Sequence, residues 1–409
     1  MHEDRRLRLL TAALALTAAC TPAASMPGTP GTGTRSRALV PPPLRRVWPV
    51  MGTLLDITVW EADTTRALRA LAAARGAVFR IDTLVSTYRP ESELSRVNRS
   101  AGSGRATALS AETAAVLEAA LRYAAATGGA LDVTVGPVVD VWGFYREEGT
   151  IPPPAALDSA RALVGYTRIV YDPATRSVRL PLPGMRLDFG AIAKGYAVDR
   201  GVEALRAAGI RRGMVDLGGN IRVFGTPPNG STWAIGLRDP RRPQEVFAII
   251  DVDSGAIATS GDYERFFVRD GVRYAHIIDP RTGRPARGIA SVSVVAPTGI
   301  ASDALSTALF VLGPEAGRPV AAAFDGVDAV WVRRPAPTGG AGAPEIDRGD
   351  VVWTDGLEDR IELVGMGPDR DGEGIPPRAT GGPRPMSMPH RSWVAGSSRY
   401  AGTPVRGTK

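Results

Sequence analysis

Asp188-Phe-Gly-Ala-Ile-Ala-Lys194-Gly-Tyr-Ala-Val-Asp-Arg200-Gly-Val-Glu-Ala-Leu-Arg-Ala-Ala-Gly209 is the stretch from which the architecture unfolds. Val198, Val202 and Leu205 recur at i, i+4 and i+7, so the segment predicts a helix from about Ile192 to Ala208 with one buried face and a stop at Gly209. On either side the period changes. Downstream, short runs that alternate or are continuously apolar predict strands at 213–217, 220–225, 232–237, 246–251, 256–258, 264–269, 272–278 and 290–296. Upstream, residues 53–60 alternate as a half-buried strand, 64–85 and 110–127 read as helices, and strands are expected at 167–171 and 177–181. A last helix spans 301–312, ended by Gly313-Pro314, before strands near 328–333, 350–353 and 360–363. Runs of strands broken by helices, without a βαβ rhythm or a fixed-period repeat, predict an α+β fold with largely antiparallel sheet.

The formal net charge of +7 and the pI near 9.9 raise the question of a nucleic-acid partner. The excess lies at the ends: residues 1–50 carry +5 and residues 366–409 carry +4, leaving −2 for residues 51–365. A nearly neutral folded part gives no basis for a nucleic-acid groove. Arg5, Arg6 and Arg8 precede an apolar stretch, Leu9–Ala19, too short to span a bilayer, which reads as an export signal over residues 1–20. It ends at the sole cysteine, Cys20, in a setting that resembles a bacterial lipobox except that Thr17 replaces the favoured leucine. Lipidation of Cys20 would give a membrane-anchored protein on the periplasmic face, and plain signal cleavage a soluble periplasmic one. Residues 21–44 read as a flexible linker, 45–365 as the enzyme domain and 366–409 as a disordered basic tail.

Chemistry-bearing residues are few. Asp303 and Thr307 stand four apart on the predicted helix 301–312, so both oxygens point the same way. One carboxylate and one hydroxyl form a partial site for a hard cation such as Mg2+, and the same spacing also serves a solvated helix face. Asp188 and Lys194 flank a helix start, where unpaired amides suit a phosphate; the plain alternative is a helix cap and a surface lysine. Lys194 and Lys409 are the only lysines, and His276 is the only histidine between His2 and His390 near the ends. His276 alternates with Tyr274 and Ile278 along the strand expected at 272–278, where it is either a hydrogen-bonded core residue or a base with a pKa near neutrality. Gly129-Ala130-Leu131-Asp132, Asp216-Leu-Gly-Gly-Asn220 and Thr259-Ser-Gly-Asp262-Tyr each read as an ordinary turn. There is no Walker loop, no Gly-x-Gly-x-x-Gly, no Gly-x-Ser-x-Gly and no metal-spaced cysteine pair.

Taken in order, these segments resemble the ApbE family of FAD:protein FMN transferases: Met51-Gly-Thr, Ser86 to Asn98, Gly129 to Pro137 with Val141-Trp-Gly-Phe144, Asp188 to Asp199, Asp216 to Asn220, Ala258 to Tyr263, His276 to Gly283 and Val295 through Gly313. The resemblance covers about residues 47–364. It implies a T-fold-like domain of antiparallel sheets flanked by helices, and an enzyme that splits FAD, attaches FMN to Thr or Ser of an acceptor protein and releases AMP. It also implies that Met51, Tyr88, Ala130, Leu131, Asp132, Asp188, Lys194 and Ile278 surround FAD. Asp303, Thr307 and the carbonyl of Ala191 would hold Mg2+, and His276 would act in the transfer step. Acceptors of this kind include subunits of the Rnf and sodium-pumping NADH:quinone reductase complexes. Two rival readings remain: an FAD pyrophosphatase with water as nucleophile, and a periplasmic flavin-binding lipoprotein without chemistry.

Overall fold

The computed structural model describes residues 42–364 apart from 147, 148, 228, 229, 231, 243 and 335–346. The expected signal segment with Cys20, almost all of the linker, the Pro/Gly-rich insertion at 335–345 and the basic tail lie outside the described residues.

Eight strands form the main sheet: β1 (Leu44–Val50), β2 (Thr53–Val59), β3 (Gly213–Leu217), β4 (Asn220–Phe224), β5 (Gly255–Gly261), β6 (Ile289–Ala296), β7 (Asp328–Arg333) and β8 (Val351–Trp353). They lie side by side in chain order, and every neighbouring pair is antiparallel. Apart from a 3-10 turn and a short strand that follow β8, everything else is inserted between consecutive strands of this meander. The long β2–β3 connection carries α1 (Thr64–Val85), α2 (Glu93–Arg99), α3 (Ala111–Ala126), α4 (Gly136–Val141), α5 (Pro154–Arg161) and α6 (Ala193–Ala207), while α7 (Gly299–Ala322) joins β6 to β7. The expectation of α+β architecture with antiparallel sheet is met.

The alternation of side chains fixes the layers. Val215, Leu217, Val292, Val294, Ala329 and Trp331 face a core shared with α1, α3, α6 and α7. Met214, Val295, Val330 and Val332 face a second core built with a three-stranded sheet of residues 233–238, 246–252 and 361–363. β6 is buried at all eight positions because it has a layer on each side, so its sequence holds only aliphatic residues and two serines and carries no charge. A register shift between Ile289 and Ser291 switches the parity at its start.

Several boundaries differ from the sequence expectations, each for a local reason. β1 escapes notice because Arg45, Arg46 and Pro49 interrupt its alternation, which an edge strand tolerates. Three short helices, α2, α4 and α5, are too brief to show an apolar period. The 167–171 stretch is partly a 3-10 turn, Tyr166–Arg168, followed by a strand from Val170. The helix expected at 301–312 breaks at Gly313 (φ 72°, ψ 174°) and then resumes to Ala322, with Pro314 at the first position of the new segment, where its missing N–H is harmless. The Trp331 indole N–H donates to the Leu309 carbonyl at 3.1 Å, supplying a donor beside the break. Finally, the strand expected to carry His276 ends at Ala275.

The α6–α7 crossing is the tightest contact between the helices that build the site. A Cβ on Gly195 would lie 2.6 Å from Asp303 Cβ and closer still to the Gly299 carbonyl oxygen. Gly195→Ala is therefore expected to lower stability by about 2–3 kcal/mol or more, as overpacking does. Gly76→Ala, at an exposed α1 position with nothing within 4 Å, should gain roughly 0.5–1 kcal/mol through helix propensity. Urea denaturation of the two variants checks both signs.

Candidate active site

α6 begins at Ala193 with no side-chain cap from its own segment. Its missing cap comes from α7: Gly195 N–H donates to Asp303 Oδ2 at 2.8 Å, and Asp303 is only 4% exposed. The other carboxylate oxygen, Oδ1, lies 3.6 Å from Lys194 Nζ, and that ammonium also donates to the Gly190 carbonyl at 3.3 Å. Lys194 is thus drawn inward, its side chain 27% exposed, and is not a free surface lysine. Asp188 does not cap the helix either. Its Oδ1 accepts from Gly190 N at 2.6 Å and so shapes the turn that carries Gly190 and Ala191.

Asp199, further along α6, anchors the start of α7: Gly299 N and Ile300 N donate to its two oxygens at 2.8 and 2.9 Å, and Arg222 Nε lies 3.3 Å away. Each helix therefore supplies a carboxylate to the other's N-terminus. One turn on from Asp303, Thr307 Oγ1 is 3.2 Å from Ser260 Oγ at the end of β5. Ser260 also meets Ser306 Oγ at 2.9 Å, and the Ser306 hydroxyl donates to the Asp303 carbonyl at 2.9 Å.

A second line of contacts leads from this cluster to the histidine. The Tyr145 hydroxyl donates to Asp188 Oδ2, the Tyr145 ring lies under the Arg186 guanidinium at 4.2 Å, and its edge meets Tyr88 at 6.3 Å between centroids. Burial, with the Asp188 charge beside it, pushes the Tyr145 phenol far above its ordinary pKa, so it stays a donor. Arg265 Nη1 donates to the hydroxyl of Tyr88, whose ring is largely exposed, at 3.3 Å. The Arg265 carbonyl takes both the backbone N–H of His276 at 3.0 Å and a contact from His276 Nδ1 at 3.2 Å. A carbonyl only accepts, so Nδ1 carries the proton and Nε2 holds the lone pair. Burial, reinforced by Arg265, lowers the His276 pKa to about 4.

The remaining positions singled out in the sequence fall into three settings. Ala130 and Leu131 pack into the main core at 1% and 3% exposure and Ile278 into a smaller one, so their side chains offer a ligand little surface. Asp132 spends its carboxylate on its own loop, accepting from Thr134 N, Thr134 Oγ1 and Tyr166 N at 2.8, 2.6 and 2.8 Å. Burial raises its pKa, against the pull of those bonds. Met51 sits in the two-residue β1–β2 turn at φ 51°, a backbone region an ordinary side chain seldom adopts. Sequence reasoning missed Tyr145, Ser260, Arg265 and Asp199. Only Asp199 had a usable signal, the i+5 acid after Lys194 on the same predicted helix.

An acid, an ammonium and hydroxyls gathered at a helix start, with a neutral imidazole linked to them through two tyrosines, define a phosphoryl-handling site of the transferase or hydrolase class. The profile of the ApbE family matches residues 51–331. Over 280 residues, 67% of this chain and 83% of its own length, the FAD:protein FMN transferase of Vibrio cholerae is 39% identical; that of Treponema pallidum is 37% identical over 302 residues, 69% of this chain and 82% of its own length. Among solved structures, the ApbE protein of Thermotoga maritima aligns with a TM-score of 0.68 at 32% identity, covering 78% of this chain and 99% of its own. The flavin transferase ApbE of Vibrio cholerae aligns with a TM-score of 0.66, also at 32% identity, with the same coverage. This chain belongs to the ApbE family.

With a pKa near 4, His276 is neutral across the physiological range, and its protonation begins only as the pH falls towards that value. The pH–rate profile should therefore show an acid limb near 4 to 5 rather than at the ordinary histidine value; a limb near 6.5 would contradict the arrangement. Tyr145→Phe keeps the ring over Arg186 and removes only the bond to Asp188, so FAD affinity should fall by about tenfold, the worth of one charge-assisted hydrogen bond. Flavin fluorescence titration measures it.

Proposed function

We propose that this chain is an exported FAD:protein FMN transferase that uses Mg2+, releases AMP and joins FMN to a Ser or Thr hydroxyl of an acceptor protein. The carrying observation is the buried Asp303 carboxylate, held between the Gly195 amide and the Lys194 ammonium, one turn from the Thr307 hydroxyl. Among the described residues no group of three or more His, Cys, Asp and Glu is placed to share a metal. One carboxylate with neutral oxygens suits Mg2+, which keeps several waters and completes its shell with substrate phosphates. Asp303, Thr307 and the Ala191 carbonyl would hold the ion, which when bound neutralises charge on the diphosphate.

The chain's own residues do the rest. Lys194 orients the diphosphate and stabilises its oxygens as charge builds on the departing AMP. Tyr88 and Tyr145 offer aromatic surface to a planar ring. His276 Nε2 accepts the proton of the acceptor hydroxyl as its oxygen bonds to the flavin-side phosphorus and the bridging P–O bond breaks. Because the imidazole is held neutral, it is ready for that proton without prior titration. The signal-like segment before Cys20 supports a lipid-anchored or soluble periplasmic enzyme, and the family resemblance supports acceptors of the Rnf or sodium-pumping NADH:quinone reductase kind.

The test combines the purified protein, FAD, Mg2+ and a candidate acceptor, following AMP and the fluorescence of the acceptor band in a denaturing gel. Asp303→Ala should abolish Mg2+-dependent cleavage. His276→Ala should slow transfer by about 10²–10⁴-fold, the usual worth of a general base, while leaving FAD affinity nearly unchanged. AMP and free FMN without a fluorescent band would favour hydrolysis, and intact FAD would favour binding alone.

A further inference from the structure

A transferase needs a place for its second substrate, and none of the residues discussed so far provides one. Beside the site lies a separate cleft of about 410 Å³, walled by Trp142, Ile151, Tyr274 and Val311, with Arg284 and Arg287 along it. Two of its walls lie close in the chain to the reacting groups. Tyr274 is two residues before His276, and Val311 is one helical turn beyond Thr307, on the face of α7 that also carries Asp303. None of its lining residues belongs to the set assigned to FAD or Mg2+.

Its surface has a definite chemistry. Trp142 is almost wholly buried and spends its indole N–H on the Gly283 carbonyl at 2.8 Å, which leaves it only apolar surface to present. Tyr274 stacks on Phe267 with centroids 5.1 Å apart and carries the Arg287 guanidinium 5.5 Å from its own ring. Asp279 is the one acid lining the cleft, and Arg281 already neutralises it through bonds of 2.9 and 3.1 Å. Arg284 and Arg287 are exposed and, among the described residues, form no ion pair. Two uncompensated guanidinium groups beside an aromatic wall match an acidic partner.

We infer that this cleft receives an extended, acidic segment of the acceptor protein and presents its Ser or Thr hydroxyl to His276, with Arg284 and Arg287 selecting its charge. The inference rests on the transferase reading and adds to it the character of the second substrate. An extended segment fits because a cleft of about 410 Å³ has room for a few side chains and not for a folded surface. The arginines act in recognition and not on the reacting phosphate, so their removal should affect the acceptor and spare FAD.

The experiment uses the full chain with FAD, Mg2+ and three short synthetic peptides, each with one Thr flanked by Asp/Glu, by Gln/Gly or by Lys/Arg. FMN on the peptide is read by mass and AMP by chromatography. The acidic peptide should be labelled at least about tenfold faster than the basic one, and the advantage should shrink as salt rises. The double variant Arg284→Glu/Arg287→Glu should lose or invert this preference with FAD affinity unchanged, and Arg284→Lys/Arg287→Lys should retain it. Equal labelling of the three peptides overturns the proposal, as does an unaltered preference in the charge-reversed variant. So does failure to label the acidic peptide by protein that still cleaves FAD, or a loss of FAD affinity in the charge-reversed variant. If the candidate acceptor protein itself takes up no FMN, the transferase reading falls and this inference falls with it, so labelling of the whole acceptor tells the two failures apart.

Discussion

The hydrogen bond from the Gly195 amide to the Asp303 carboxylate is the constraint on which the rest of the site depends. It ends one helix with a side chain from another, and it can form only because neither Gly195 nor Gly299 has a Cβ to hold the helices apart. Asp199 makes the reciprocal connection to the start of α7. Two helix termini, each needing acceptors for unpaired amides, satisfy one another, and the carboxylate that does so for α6 remains beside Lys194 with a second oxygen to offer. Stability and function thus draw on the same atoms.

The antiparallel meander explains why residues so far apart in the chain meet. Strands that follow one another in space as in sequence need only short turns, so any longer connection is free to carry insertions. The β2–β3 insertion brings Tyr88, Tyr145, Asp188 and Lys194; the β5–β6 insertion brings Arg265 and His276; the β6–β7 insertion is α7 itself. Ser260, at the end of β5, is the sheet's own contribution and ties the α7 hydroxyls to the frame. Relocating one of these groups would require a change in a connection, not in the sheet.

Much of this was legible in the sequence, and the limit has a physical form. The i, i+4 spacing placed Asp303 and Thr307 on one face, and the periodicity of α6 put Lys194 at its start, because both are consequences of helix geometry within a few residues. The partners across segments were not legible. Tyr88 and Arg265 are 177 residues apart, and no local period carries information about such a pair. Tyr145 was hidden for a different reason: it follows the short helix α4 in a stretch with too few turns to show a face. The extended strand expected through His276 ended early because its base turns back, with backbone and ring both facing the Arg265 carbonyl, a pairing that alternation alone does not foresee.

Charge balance gives the arrangement its direction. Burying a carboxylate is costly unless it is paired, and Asp303 is paired with a single ammonium, so the two together carry no net charge into the interior. A diphosphate entering such a site alone would add two negative charges with one shared lysine to meet them. Accompanied by a divalent cation, it would add none, and each group already present would have a partner of opposite sign, the carboxylate for the cation and the ammonium for the phosphate oxygens. The pairing seen between Lys194 and Asp303, at 3.6 Å rather than at close hydrogen-bond distance, is loose enough for each to take up that second role without breaking the helix cap. A tighter ion pair would have held these two groups to one another at the expense of the substrate.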